Sequence, residues 1–223
     1  MSISQKQEVK CPVCAELCEI EVWQSIQAAD ADIKDDLLKG RVNILKCASC
    51  GASALVSVPV LYTDSEKKLM ISFFPSSDES AKLKNFAHLL DEAKKSGEYA
   101  SFEDYNLRYV SDYNSFLEKI LIFDNGFHDK VIEVLKLLVL MQESDKMDKR
   151  VAMFGKCTAD AIEFMVTDRA DGKVYTSRVP MTTYEQVSRS LKESGVKYKS
   201  FDWELVDIEY AKNLLYGANN ILR

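Results

Sequence analysis

Two pairs of cysteines, each with the spacing Cys-x-x-Cys, constrain the fold of this chain more than any other feature. The first pair spans residues 11–14 and the second spans residues 47–50. Two such turns can hold one Zn²⁺ tetrahedrally through four thiolates. Gly51 directly follows the second pair and suits the positive φ angle of such a turn. We therefore predict one structural zinc ion with four ligands: Cys11, Cys14, Cys47 and Cys50.

The other two cysteines are weaker ligand candidates. Cys18 alternates in phase with Ile20 and Val22, which favours a buried apolar side chain over a fifth ligand. Cys157 stands alone at the end of a strand-like run. Two alternatives to zinc stay open for the paired cysteines, namely small buried hydrophobic residues and a redox dithiol. The redox alternative fits less well, because a thioredoxin-like motif has one Cys-x-x-Cys at the start of a helix.

The charge and hydropathy of the sequence indicate which kinds of partner and which cellular location to expect. The 223 residues include 35 Asp and Glu against 29 Lys and Arg, a formal net charge of −6. This balance gives no electrostatic reason to expect binding to nucleic acid or to an anionic membrane. The N-terminus lacks the apolar stretch of a signal peptide, and the longest apolar run, residues 137–141, is far shorter than a membrane-spanning helix. We therefore expect a cytoplasmic protein, whose thiols stay reduced and available to a metal.

The order of the predicted elements indicates an α+β protein with three segments. Residues 1–75 are predicted to form a zinc-ribbon-like β unit with an inserted short helix, Asp32–Lys39, which stops before Gly40. Residues 76–147 form a helical segment, and residues 148–223 form a small C-terminal α+β domain. The polar stretch 142–150 marks the boundary between the last two segments.

Local patterns predict further elements in each segment. In the first, runs 55–62 and 68–74 predict a hairpin across residues 63–66. In the middle segment, Ser76 and Glu79 predict a capped helix, and helix 129–141 is apolar on nearly all sides and therefore central. The remaining predictions are an aromatic loop at 99–109, a helix at 113–123, strands at 151–154, 162–167 and 173–179, a helix capped by Thr182 and Glu185, and a final helix from Ala211 to Leu222.

Several of these motifs together resemble the CpXC domain family of prokaryotic proteins. The resemblance covers roughly Val9 to Met141 and is specific in combination. It rests on Cys11–Cys14, the acidic segment 31–40, Val42–Gly51, Pro59–Asp64, Lys67–Ile71 and Asn114–Lys136. It implies a zinc-ribbon-like module with helices, and it carries no assigned activity. Ala15 stands where the family's turn usually has Gly, and Ala48 where it usually has Pro.

The expected function is that of a non-enzymatic zinc-binding module that interacts with a protein partner or an unknown ligand. An enzyme is the first alternative, and it would rest on Glu118, Asp129 and Glu133 converging in one pocket. Separately, His128 with Asp129 and Glu133 can bind a metal or do acid–base work. Against it, Asp129 and Glu133 also suit the N-terminal end of a helix electrostatically. A nucleic-acid-associated ribbon is the second alternative, and the acidic charge disfavours it. The common signature motifs of hydrolases, nucleotide-binding and dinucleotide-binding proteins are absent from the sequence.

Overall fold

Two antiparallel strand pairs, joined by a short helix, form the start of the chain in the computed structural model. The first pair is β1 (Ile3–Lys10) with β2 (Leu17–Gln27). Helix α1 (Ala31–Leu38) follows and buries Leu37. The second pair is β3 (Ile44–Lys46) with β4 (Ser53–Leu55). The predicted helix before Gly40 is confirmed, and that glycine takes a φ of 65° after the helix end.

The structure describes residues 2–76, 84, 104–142 and 144–217. The chain divides into two compact units. The first unit is Met1–Leu117 with Lys199–Trp203, and the second is Glu118–Tyr198 with Glu204–Arg223. Both units mix strands and helices, so the predicted α+β class is confirmed. The division into three domains with limits at residues 75 and 147 stays a prediction.

The first unit contains a mixed six-stranded sheet. To β1 and β2 it adds β5 (Val60–Asp64), β6 (Leu69–Phe73), β7 (Asn106–Val110) and a strand from the end of the chain at Ser200–Glu204, β11. The strand order is β1-β2-β5-β6-β7-β11. The β1–β2 and β5–β6 neighbours are antiparallel, whereas β2–β5 and β6–β7 are parallel.

Two predictions for this unit can be compared with the sheet. The predicted hairpin is confirmed as β5–β6, but Asp64 pairs with Leu69, so its turn is two residues later than expected. The predicted aromatic loop is wrong over residues 106–109, because these residues belong to β7, which pairs with β6. The helix expected after the Ser76–Glu79 motif, the aromatic residues Tyr99 and Phe102, and the final-helix residues after Gly217 lie outside the described residues.

The second unit is organised around one buried helix. Helix α2 (Tyr113–Asp124) contains the division between the units, and α3 (Asp129–Met141) buries eleven of its 13 residues. Around α3 pack a 3-10 helix, a three-stranded antiparallel sheet and two further helices. These elements are Ser144–Lys149, β8 (Arg150–Cys157), β9 (Ala161–Asp168), β10 (Val174–Pro180), α4 (Met181–Glu193) and α5 (Ile208–Tyr216).

The sequence patterns of the second unit are largely confirmed. Helix α3 is central as predicted, and its apolar residues contribute to two buried clusters that also include Phe164 and Leu191. The predicted capping box at Thr182 is wrong, because α4 begins at Met181 after Pro180 and has no side-chain cap. Among the described residues, no helix combines the length and the apolar character needed to cross a membrane.

Candidate metal centre

Each Cys-x-x-Cys turn lies in the connection between two antiparallel strands. β1 ends at Lys10, next to Cys11, and β2 begins three residues after Cys14. In the same way, β3 ends at Lys46, next to Cys47, and β4 begins soon after the second turn. Each strand pair therefore has one Cys-x-x-Cys turn in the connection between its two strands. This is the arrangement that the sequence predicts for a zinc-ribbon-like unit.

The two turns share one hydrogen-bonding pattern. In the first, the Ala15 N–H donates to the Cys11 carbonyl at 2.9 Å and the Cys11 N–H donates to the Glu16 carbonyl at 2.8 Å. In the second, the equivalent bonds run from the Gly51 N–H to the Cys47 carbonyl and from the Cys47 N–H to the Ala52 carbonyl, both at 2.9 Å. The residue after the second cysteine has a positive φ in both turns, 61° at Ala15 and 71° at Gly51.

These turns bring four sulfur atoms into one group. The Sγ atoms of Cys11, Cys14, Cys47 and Cys50 all lie within 4.8 Å of one another. The Cys11–Cys50 sulfurs are 3.6 Å apart and the Cys14–Cys47 sulfurs 3.5 Å apart. A tetrahedral ion with four bonds of about 2.3 Å needs sulfurs about 3.8 Å apart, so the group has the size of a metal cage. The four cysteines can therefore hold a metal ion.

The cage has a buried half and an exposed half. Cys11 and Cys47 are only 2% and 4% exposed and form a small apolar cluster with Leu45, whereas Cys14 and Cys50 are exposed. Cys18 packs against this cluster from β2 but lies outside the group of four sulfurs. In the second unit, the Cys157 thiol donates to Asn125 Oδ1 at 3.2 Å. Neither of these two cysteines is part of the cage.

Backbone N–H groups in the turns favour thiolates at the first cysteine of each pair. A hydrogen bond from the Cys50 N–H lowers the pKa of Cys47 to about 6. Hydrogen bonds from the N–H groups of Cys14 and Val13 lower the pKa of Cys11. At Cys14 the Glu16 N–H also favours the thiolate, but hydrogen bonds to the neighbouring cysteine sulfurs outweigh it and raise the pKa to about 12. Ionised sulfur is the form that ligates a metal.

The side chain of Asn43, which the sequence patterns did not single out, links β2 to the start of β3. Asn43, 3% exposed, accepts from the Trp23 N–H at 2.7 Å and donates to the Trp23 carbonyl at 3.0 Å. Its backbone has a φ of 57°, and its carbonyl accepts from the Val56 N–H at 2.7 Å. Asn is among the few residues that tolerate this conformation, and that preference is the sequence signal for its role.

The carboxylates considered for an enzyme site lie in a buried ion-pair network of the second unit. Lys119 Nζ is 2.8 Å from Glu133 Oε1 and 3.5 Å from Asp129 Oδ2. Lys136 Nζ is 3.0 Å from Glu118 Oε2 and 3.1 Å from Glu133 Oε2. All five side chains are nearly inaccessible to solvent. The structure thus brings the three carboxylates together, but with two lysines as their partners.

His128 caps helix α3. Its Nδ1 accepts a hydrogen bond from the Lys130 N–H at 3.3 Å, and its Nε2 lies 3.2 Å from the Tyr198 carbonyl. The ring stacks on Tyr198, with centroids 4.2 Å apart. The described geometry therefore favours a structural role for this group over acid–base chemistry.

Comparison with known proteins agrees with the cysteine pattern. The family model described as "CpXC protein" matches residues 9–136, a span that contains all four cysteines of the cage. No curated protein matches the chain. No solved structure matches it either.

Proposed function

The chain belongs to the CpXC protein family, and from this premise we propose that it is a zinc protein whose four-cysteine centre is structural. The observation that carries the proposal is the convergence of four sulfurs, within 4.8 Å of one another, from two turns with the same hydrogen-bonding pattern. Four thiolates in a tetrahedral arrangement are typical of zinc or of iron–sulfur centres. The paired Cys-x-x-Cys turns in a two-hairpin setting favour zinc.

A zinc centre of this kind stabilises the fold and has no catalytic role. Four protein ligands leave no open position on zinc, so the metal does not activate water there. The ion would join the β1–β2 connection to the β3–β4 connection through Cys11, Cys14, Cys47 and Cys50. Its contribution would therefore be to fix one strand pair against the other within the first unit.

We further propose that the protein works in the cytoplasm as an interaction module for a protein partner. Two large apolar side chains support this, one within the first turn and one three residues after it: Val13 is 72% exposed and Leu17 is 55% exposed. Residues 1–75 contain eight Lys and Arg against ten Asp and Glu, and zinc with four thiolates adds about −2. This negative surface weighs against a phosphate backbone as the partner.

Metal analysis of the purified full-length chain tests the zinc centre. We expect one zinc ion per chain, with little iron and no iron–sulfur absorption. Replacing Cys47 by Ser should remove the ion, because it breaks the cage from its buried side. Replacing Cys18 or Cys157 by Ser provides the matched control and should leave one zinc bound. Loss of zinc in the Cys18 variant would make that residue a ligand, and protein without zinc would overturn the proposal.

Substitution of the exposed apolar residues Val13 and Leu17 tests the interaction role. Partner proteins captured from the native host by the wild-type chain should be lost with Val13→Ser combined with Leu17→Ser. The exposed apolar residue Val174 lies in the second unit, and Val174→Ser should leave capture unchanged. Binding of random duplex or single-stranded nucleic acid at sub-micromolar affinity, with a steep dependence on salt, would contradict the charge argument.

A further inference from the structure

The two halves of the metal centre differ in their access to solvent. In each turn the first cysteine is buried and the second is exposed, so the inner pair is Cys11 with Cys47 and the outer pair is Cys14 with Cys50. The inner pair packs with Leu45 in the apolar cluster of the ribbon. A small reagent in solution therefore meets the outer pair first.

Metal ligation makes that access chemically important. A thiol that coordinates zinc is deprotonated, so it keeps thiolate character at neutral pH. Oxidation of cysteine follows thiolate character and exposure together. Both conditions are met at Cys14 and Cys50, whereas Cys11 and Cys47 meet only the first. Cys18 is partly exposed but is not one of the four clustered sulfurs.

The two outer cysteines belong to the same group of four sulfurs. Their sulfurs lie within 4.8 Å of each other, and a disulfide requires about 2.05 Å. Each outer sulfur also contacts an inner one, at 3.6 Å for Cys11–Cys50 and 3.5 Å for Cys14–Cys47, but each of those contacts includes a buried sulfur. We propose that Cys14 and Cys50 are a peroxide-sensitive pair, and that their disulfide releases the metal. This inference rests on the zinc centre proposed above.

The chemistry balances with a peroxide as the oxidant. One outer thiolate attacks the peroxide, the O–O bond breaks, and the sulfur becomes a sulfenic acid while hydroxide leaves. The second outer thiolate attacks this sulfur, an S–S bond forms, and the S–O bond breaks with loss of a second hydroxide. The two sulfurs lose two electrons, and the peroxide, with two protons from solvent, becomes water. After this step only Cys11 and Cys47 would remain as thiolate ligands, too few to retain a zinc ion.

Peroxide treatment of the zinc-loaded full-length chain tests the inference. A double variant, Cys18→Ser with Cys157→Ser, restricts any disulfide to the four cage cysteines. Zinc content is measured before treatment, released zinc is followed with a chromogenic chelator, and the disulfide is located by peptide mass spectrometry after alkylation. We expect equal amounts of zinc released and of Cys14–Cys50 disulfide formed, with full reloading after reduction in the presence of zinc. The wild-type chain should behave in the same way.

The outcomes separate the two proposals. Protein that holds no zinc before treatment contradicts the zinc centre itself. Zinc that is present but retained in excess peroxide, or released without a disulfide, overturns the outer-pair inference alone. A disulfide that includes Cys11, Cys47 or, in the wild-type chain, Cys18 also overturns it.

Discussion

At the scale of single residues, the two Cys-x-x-Cys turns differ in how well each sequence suits the backbone conformation of its turn. Both turns place the residue after the second cysteine at positive φ, yet the first has Ala15 where the second has Gly51. The left-handed conformation costs an L-residue roughly 1–2 kcal/mol, and glycine avoids that cost. The first turn therefore contains strain that the second does not.

Exchanging the residues at these two positions tests this difference. Ala15→Gly should raise the free energy of unfolding of the first unit by about 1 kcal/mol, and Gly51→Ala should lower it by a similar amount. No atom lies within 4 Å of a Cβ placed on Gly51, so the second effect comes from the backbone alone. Denaturant unfolding of the zinc-loaded variants provides the measurement. A destabilising Ala15→Gly would contradict the interpretation.

Asn43 is the second residue whose role depends on geometry. Asn43→Ala removes both hydrogen bonds to the Trp23 backbone and leaves buried groups without partners, so we expect a loss of about 3 kcal/mol in unfolding free energy. Asn43→Asp is the comparison variant, because it keeps the acceptor for the Trp23 N–H but loses the donor and places a carboxylate oxygen beside the Trp23 carbonyl. An intermediate loss is expected for it. Equal losses for the two variants would show that the donor is the essential group.

At the scale of elements, what the sequence could predict depends on where each element's side chains lie. Helix α3 was predictable, because an apolar residue on every face indicates a helix covered by its neighbours. β7 was not predictable, because the buried residues Asn106 and Arg108 are polar and interrupt the alternation of apolar and polar residues that indicates a strand. β1 is an edge strand with mostly exposed side chains, so its sequence is hydrophilic.

The candidate metal site also has features that the sequence predicts and features that it does not. The cysteine spacing predicted the four clustered sulfurs because each turn is a local structure. The contact of Asn43 with Trp23, in contrast, depends on how separate parts of the chain pair. The lysine partners of the buried carboxylates on α2 and α3 likewise follow from helix packing, which residue spacing along one chain does not show.

The ion pairs between α2 and α3 give a prediction for these elements. Lys136→Met should lower the free energy of unfolding of the second unit by about 3–5 kcal/mol, because Glu118 and Glu133 would then share too few buried positive partners. Lys173 pairs with Asp171 at the surface, and Lys173→Ala should change stability by less than about 1 kcal/mol. Chemical denaturation at pH 7 measures both. Equal effects would mean that burial adds nothing to the network.

The pH dependence of α3 follows from the same pairs. Burial raises the pKa of Glu133, but Lys119 and Lys136 outweigh it and lower the pKa below its usual value. The stability that Glu133 adds is therefore present above the unfolded carboxyl pKa of about 4.3 and is lost as pH falls through the lower folded value. Burial lowers the pKa of Lys136, but Glu133 and Glu118 outweigh it and raise that pKa. Its contribution is complete below an unfolded pKa of about 10.4 and is lost as pH rises through the folded value.

Hydrogen exchange of α3 across acidic pH tests this prediction. Protection should be steady from about pH 5 to 8 and should fall below about pH 4. Glu133→Gln should lower protection at neutral pH and weaken its dependence on acid, since the titrating group is gone. Glu193→Gln, at an exposed position of α4, is the control and should keep the wild-type profile. An unchanged acid profile in Glu133→Gln would assign the dependence to other carboxylates.

At the scale of the whole molecule, the two units should depend on zinc to different degrees. The buried cluster of the ribbon consists of Cys11, Leu45 and Cys47, so two of its three side chains belong to the four-cysteine group. Structural zinc can contribute on the order of 10 kcal/mol in small domains. The clusters around α3 contain no member of the four-cysteine cage, and their packing does not need the ion.

We therefore expect that a strong chelator, or Cys47→Ser, unfolds the metal-binding part of the first unit while α3 keeps its protection. Hydrogen exchange with mass spectrometry should show fast exchange in β3, β4 and both cysteine turns, with little change in residues 129–141. Cys157→Ser is the control, because that thiol bonds to Asn125 in the second unit and is not a ligand; it should change neither region. Uniform protection after zinc removal would mean that the ribbon folds on its strand pairs alone. Loss of protection throughout both units would mean that the chain folds as one cooperative structure, in which the stability of α3 depends on the metal.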